Sequence, residues 1–116
     1  MDKIRIIRNP ITKDELKKIA QERFGDLVKA VVDVEKEIIA LGGDLHADEE
    51  KALLEQGSKQ ENLWGINIYP DLDRDKWIEF DSIINIRPSL NNRSRFVEDE
   101  KIKQKIISII NKLIID

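Results

Sequence analysis

Isoleucine alternates with charged or polar residues from Lys3 to Arg8, so Ile4 and Ile6 share one face of a predicted strand that Pro10 closes. Thr12-Lys13-Asp14-Glu15 follows as a capping box, in which the Thr12 hydroxyl accepts the Glu15 amide and the Glu15 carboxylate reaches back. Ile11 before the cap and Leu16 inside it form a hydrophobic staple. Leu16, Ile19, Ala20 and Phe24 recur at helical spacing, and Gly25 supplies a left-handed stop. The spacing predicts a helix over 13–24.

Residues 27–43 carry two patterns at once. Leu27, Val31, Val34, Ile38 and Leu41 fit a helical stripe, whereas Val28, Ala30, Val32 and Val34 alternate as in a strand. β-Branched content favours strands, because branching at Cβ restricts rotamers in a helix but packs well on a pleated surface. The expectation is a hairpin, with strands over 28–34 and 38–42 and a turn at Glu35-Lys36. Gly42-Gly43 breaks the pattern. Ala47 to Gln56 reads as a short helix ended by Gly57, with Asp48, Glu49 and Glu50 in its first turn, where acids suit the helix dipole. Leu63 to Tyr69 reads as a strand and Pro70–Asp73 as a turn. Trp77 to Arg87 reads as a longer strand beside it, with Ile78, Phe80, Ile84 and Ile86 inward. Asn91–Arg95 is a polar loop. Asp99 caps a last helix in which Ile102, Ile106, Ile109, Ile110 and Leu113 recur. The predicted order is β-α-β-β-α-β-β-α: one α+β domain over residues 1–116, mostly antiparallel, with helices packed on one face of the sheet.

Length and composition support a single domain. At 116 residues with 41% apolar positions, one core forms without covalent staples. Cysteine is absent, which excludes disulfides, thiolate chemistry and Cys-ligated zinc. The apolar runs are too short to span a bilayer, and Met1 to Pro10 lacks the apolar stretch of a signal peptide, so a cytoplasmic location is expected. Twenty isoleucines with 37% charged residues fit a thermophile and an AT-rich genome alike. Net charge is −3 but uneven: residues 1–25 carry +3, residues 26–81 carry −9, and residues 82–116 carry +3. The acidic total argues against generic nucleic-acid binding.

Two stretches concentrate chemistry. In Asp44-Leu45-His46-Ala47-Asp48-Glu49-Glu50 the only histidine precedes a helix beside three acids. His46 is a candidate general base, with Asp48 or Glu49 orienting it; the plainer reading is a helix start whose acids favour the dipole. Ser82 to Val97 contains no acid but holds Arg87, Arg93 and Arg95 with Asn85, Asn92 and Ser94. Guanidinium forks with amide and hydroxyl donors before a helix are what an anion site needs. The alternative is that these arginines pair internally with Asp48, Glu49 or Glu50. A third stretch, Gln56–Gln60 with Trp64-Gly65, reads as packing, since a single glycine makes no phosphate loop. No metal spacing and no cofactor motif occurs, so neither group is expected.

The motifs His46-Ala47-Asp48-Glu49-Glu50, Glu55-Gln56-Gly57-Ser58, Trp64–Pro70, Asn85–Pro88 and Asn92–Arg95 together resemble a family of small bacterial and archaeal proteins classified as a domain of unknown function. The resemblance runs over nearly the whole chain. It implies no activity, but it implies that the polar motifs belong to one module, and it implies a glycine where this chain has Glu37. Three function classes follow. The first is a binding module whose Asn85, Arg87, Asn92, Arg93, Ser94 and Arg95 hold a phosphate, nucleotide or RNA backbone near His46. The second is a small hydrolase or ribonuclease with His46 as base, and the third is an interaction protein whose polar motifs only knit the fold. Lacking a nucleophile pair, the chain favours the first. An anionic small molecule or a nucleic-acid backbone is the expected partner, a membrane is not, and oligomeric state stays open.

Overall fold

A computed structural model describes residues 4–116, so Lys3, where the first strand was expected to begin, lies outside the described residues. Strands β1 (Arg5–Ile7), β3 (Val28–Asp33), β4 (Ile38–Leu41), β5 (Leu63–Ile68) and β6 (Ile78–Glu79) form an antiparallel sheet in the order β1-β4-β3-β5-β6. Two-residue strands β2 (Ile11–Thr12) and β7 (Ile114–Ile115) pair in parallel beside it. Helices α1 (Lys13–Arg23), α2 (His46–Glu55) and α3 (Glu100–Leu113) complete the α+β domain.

Local signals explain the element ends. The Thr12 hydroxyl accepts the Glu15 amide at 3.1 Å, while the Glu15 carboxylate pairs with Arg5 at 2.9 Å. Gly25, at φ +90°, closes α1 with its amide on the Ala20 carbonyl. The hairpin reading of 27–43 is the one the structure adopts, in register Val31 with Ala40. One buried carboxylate holds its turn: Asp33 Oδ1 accepts the amides of Glu35 and Lys36, and Oδ2 accepts the Ser58 hydroxyl at 2.7 Å. Glu37, where the resemblance implied glycine, sits at φ 57°, the left-handed region that glycine enters most easily.

Two expectations need correction. The helices do not share one face. Ala30, Val32, Ile39, Leu41, Trp64 and Ile66 point toward α1 and α3, whereas Val31, Ile38, Ala40 and Leu63 point the other way and cover Leu53 of α2. The cause lies in β3, where Ala30, Val31 and Val32 are all fully buried. A strand apolar on both sides needs cover on both. The second correction concerns 77–87. Only Ile78–Glu79 pairs with β5; the chain then folds into 3₁₀ turns at Ile83–Asn85 and Pro88–Leu90. Ser82 caps the first turn by accepting the Ile84 amide. Inward alternation therefore ends after Phe80: Ile84 packs on the α2 side and Ile86 is exposed.

Replacing Thr12 by alanine removes the cap of α1 and should lower stability by about 1 kcal/mol in urea denaturation. Leu53→Ala should cost about 2–5 kcal/mol if α2 seals the second face of the sheet. A loss near zero would contradict that packing.

Candidate functional site

Asn85 is fully buried, and its side-chain amide pairs with the peptide of Gly65. Oδ1 accepts the Gly65 amide at 2.8 Å, and Nδ2 donates to the Gly65 carbonyl at 2.9 Å and to the Arg95 carbonyl at 3.0 Å. Asn92, also buried, donates to the carbonyls of Asn85 and Phe96 at 2.7 Å and accepts the Glu98 amide. Both amides are thus spent on backbone. Arg87 donates to the carbonyls of Gln60 and Leu63, and its guanidinium lies 4.5 Å over the Trp64 ring, itself in the core. Burial lowers the Arg87 pKa, and the negative charge of Glu50 opposes that shift.

The loop at Arg93–Ser94 does build an anion cradle, and its occupant comes from the same chain. One Glu98 oxygen accepts the Arg93 amide, the Ser94 amide and the Ser94 hydroxyl at 2.8–2.9 Å. The Ser94 hydroxyl, its amide and the Arg93 amide together hold the Glu98 carboxyl below the usual range. Arg95 pairs through Nε with Asp81 at 2.7 Å. Its partner is therefore not the Asp48–Glu50 turn. Glu49 is fully buried and accepts the Gly43 amide at 2.9 Å, turned into the fold. Asp48 lies in the first turn of α2.

His46 and Arg95 are brought together. A cleft of about 230 Å³ opens between the start of α2, β3 and the turn after Ser82. His46, Lys29, Ser82 and Arg95 supply its polar lining, and Leu45, Ile83 and Ile84 its apolar walls. His46 opens α2 and is only 8% exposed; its Nε2 lies 2.7 Å from the Ile66 carbonyl. Facing a carbonyl, Nε2 carries the hydrogen, so Nδ1 of the neutral ring keeps the lone pair. Burial lowers the His46 pKa, and the charges of Lys29 and Arg95 add to that, against the Ile66 carbonyl and Asp81. Among the described residues no carboxylate pairs with Lys29, whose ammonium sits 5.5 Å over the Phe24 ring.

Six residues expected to hold one ligand therefore divide. Asn85, Asn92 and Arg87 brace the loop, Ser94 and the Arg93 amide hold Glu98, and only Arg95 reaches the cleft. Lys29 was missed in the sequence. Its signal was a lone lysine between Val28 and Ala30 in the apolar run that opens β3. Among the described residues no group of three His, Asp or Glu side chains gathers where a metal could sit.

The lowered pKa of His46 carries a pH signature. The folded state binds the His46 proton less readily than the unfolded chain, whose imidazole titrates near about 6.5. This contribution to stability is full above that value and declines as pH falls below it. His46→Gln should remove that component, so the stability difference between wild type and variant should shrink on acidification from neutral pH. A difference independent of pH would contradict a buried, neutral imidazole.

The family comparison extends over the whole framework just described. The matching family model, described as "Protein of unknown function (DUF5674)", covers residues 5–113. No curated protein and no solved structure matches the chain. With the match running from β1 to the end of α3, the chain belongs to the DUF5674 family of proteins of unknown function.

Proposed function

We propose that this domain is a binding module for a small anionic molecule, held in the cleft between Lys29, His46 and Arg95. One observation carries the reading: two cations, a neutral imidazole and the Ser82 hydroxyl line one cleft whose remaining walls are apolar. Arg95 reaches Asp81 through Nε, so its two terminal NH₂ groups have no described partner and present a fork suited to carboxylate or phosphate oxygens. The Ser82 hydroxyl already accepts the Ile84 amide and keeps its hydrogen to donate. In this reading Asn85 and Asn92 shape the cleft without touching the ligand, and Arg93 and Arg87 stand outside it.

The hydrolase reading ranks second. A neutral His46 suits a general base, but among the described residues no hydroxyl bonds to its ring, so no nucleophile–base pair supports it. A cytoplasmic setting belongs to the same proposal and rests on the lack of cysteine. No described helix is long and apolar enough to cross a membrane.

The test is a thermal-shift series with millimolar acetate, sulfate, phosphate and nucleotides. An anion at ten times its Kd stabilises the fold by about 1.4 kcal/mol, enough to move the midpoint by degrees. Lys29→Gln and Arg95→Gln should abolish the response. Arg93→Ala, outside the cleft, should keep it. A wild type indifferent to every anion would end this reading, and loss of response on Arg93→Ala alone would move the site to the loop.

A further inference from the structure

The chemistry of the cleft narrows what it takes, on the premise that it is a ligand site as proposed above. Charge comes first. Lys29, Asp81 and Arg95 are the charges that act on the His46 ring, and of the cleft's lining residues Lys29 and Arg95 are the charged ones. Asp81 already offsets Arg95 at 2.7 Å, and His46 is kept neutral by burial, so the cleft carries one uncompensated positive charge. A monoanion balances it. A phosphate monoester, close to doubly charged at neutral pH, would bring an excess negative charge into a partly desolvated site.

Size comes next. At about 230 Å³ the cleft is smaller than the pockets of about 300–1,000 Å³ that enclose drug-sized ligands. A nucleotide would leave its base or its sugar outside. A single residue-sized group fits. The walls then select its body: Leu45 is 56% and Ile83 67% exposed, and both line the cleft beside Ile84 and Ala47. Apolar side chains left open at the rim of a charged cleft gain from covering by an apolar group. Hydrogen bonding adds a third constraint. With Nε2 on the Ile66 carbonyl, His46 offers only an acceptor at Nδ1, so the matching ligand atom is a donor.

We infer that the cleft binds a monocarboxylate carrying a short branched apolar group and an adjacent N–H donor, the chemistry of an N-acylated or chain-terminal leucine-like residue. The carboxylate lies between Lys29 and the terminal NH₂ groups of Arg95, the N–H meets His46 Nδ1, and the apolar group covers Leu45 and Ile83. Chain-terminal carboxylates are a recurring recognition target because one small group supplies charge, donor and side chain together.

Isothermal titration with N-acetyl-leucine, N-acetyl-leucinamide, acetate, inorganic phosphate and a pentapeptide ending in leucine separates the cases. N-acetyl-leucine is expected to bind at least about tenfold more tightly than the amide, which lacks the carboxylate, and than acetate, which lacks the side chain. Ile83→Asn, an exposed position whose change leaves the fold intact, should erase the advantage over acetate. The source of the ligand is read from the peptide. Tighter binding of the pentapeptide than of N-acetyl-leucine assigns a protein terminus, and equal or weaker binding assigns a free small acid. Binding of phosphate without N-acetyl-leucine overturns this inference while the anion cleft survives. Equal binding of N-acetyl-leucine and its amide overturns the inference as well. No binding by any of the five overturns this inference, and the thermal-shift series with sulfate and nucleotides then decides whether the anion cleft survives.

Discussion

Beyond the end of β6, the outer edge of β5 would face water or an unsatisfied interior, and the side chain of Asn85 takes that place. Its amide copies a peptide unit, with one donor and one acceptor set against the Gly65 amide and carbonyl. An unmade backbone hydrogen bond at a buried edge costs about 1–3 kcal/mol per group, so this one side chain offsets two such losses. Its third bond, to the Arg95 carbonyl, ties the far end of the loop to the same point. Glycine at 65 is required by the close approach of Ser82, three residues before Asn85: a Cβ there would lie 2.6 Å from the Ser82 Cβ. Ser82 and Arg95 are in turn joined backbone to backbone at 3.0 Å. One wall of the cleft therefore depends on a single asparagine–glycine contact.

The arginine-rich loop spends most of its polar groups on its own chain. Arg87 spends its guanidinium on two carbonyls and the Trp64 face, and Arg95 takes Asp81. The backbone amides at 93 and 94 close on Glu98. Tethered four or five residues away, this carboxylate has an effective concentration that a free anion would have to exceed. Lys29 has no such tether, and it faces the one cleft where an imidazole, a serine and apolar walls also meet. Among the cleft's lining residues, Lys29 is thus the cation that no carboxylate of the described residues pairs with.

Short-range patterns were legible along the chain. Thr12, Gly25 and Asp99 act within a few residues of themselves, and each sets a helix end as its chemistry requires. The hairpin followed from β-branched residues, because the same side chains that crowd a helix fit a pleat. Both helix-capping and strand preference are local properties of a residue and its near neighbours. The α+β class and the strand neighbours β5 and β6 followed from these.

Longer-range partners decided the rest. Alternation predicts an inside and an outside but cannot say that both sides of β3 are covered; the burial of Val31 against Leu53 did that. The strand over 77–87 ended early because Asn85 found a partner twenty residues upstream, a competition invisible to periodicity. His46 and the three arginines could be named from the sequence, and so could the fact that the arginines need counter-charges. Which charge met which group was set by packing: Glu98 filled the cradle, Asp81 took Arg95, and Lys29 on β3 came beside His46. The sequence by itself determined the three helices and the hairpin of β3 and β4, because their causes lie within one or two turns of chain. The tertiary structure alone decided where the polar groups converge, because that depends on contacts between residues far apart along it.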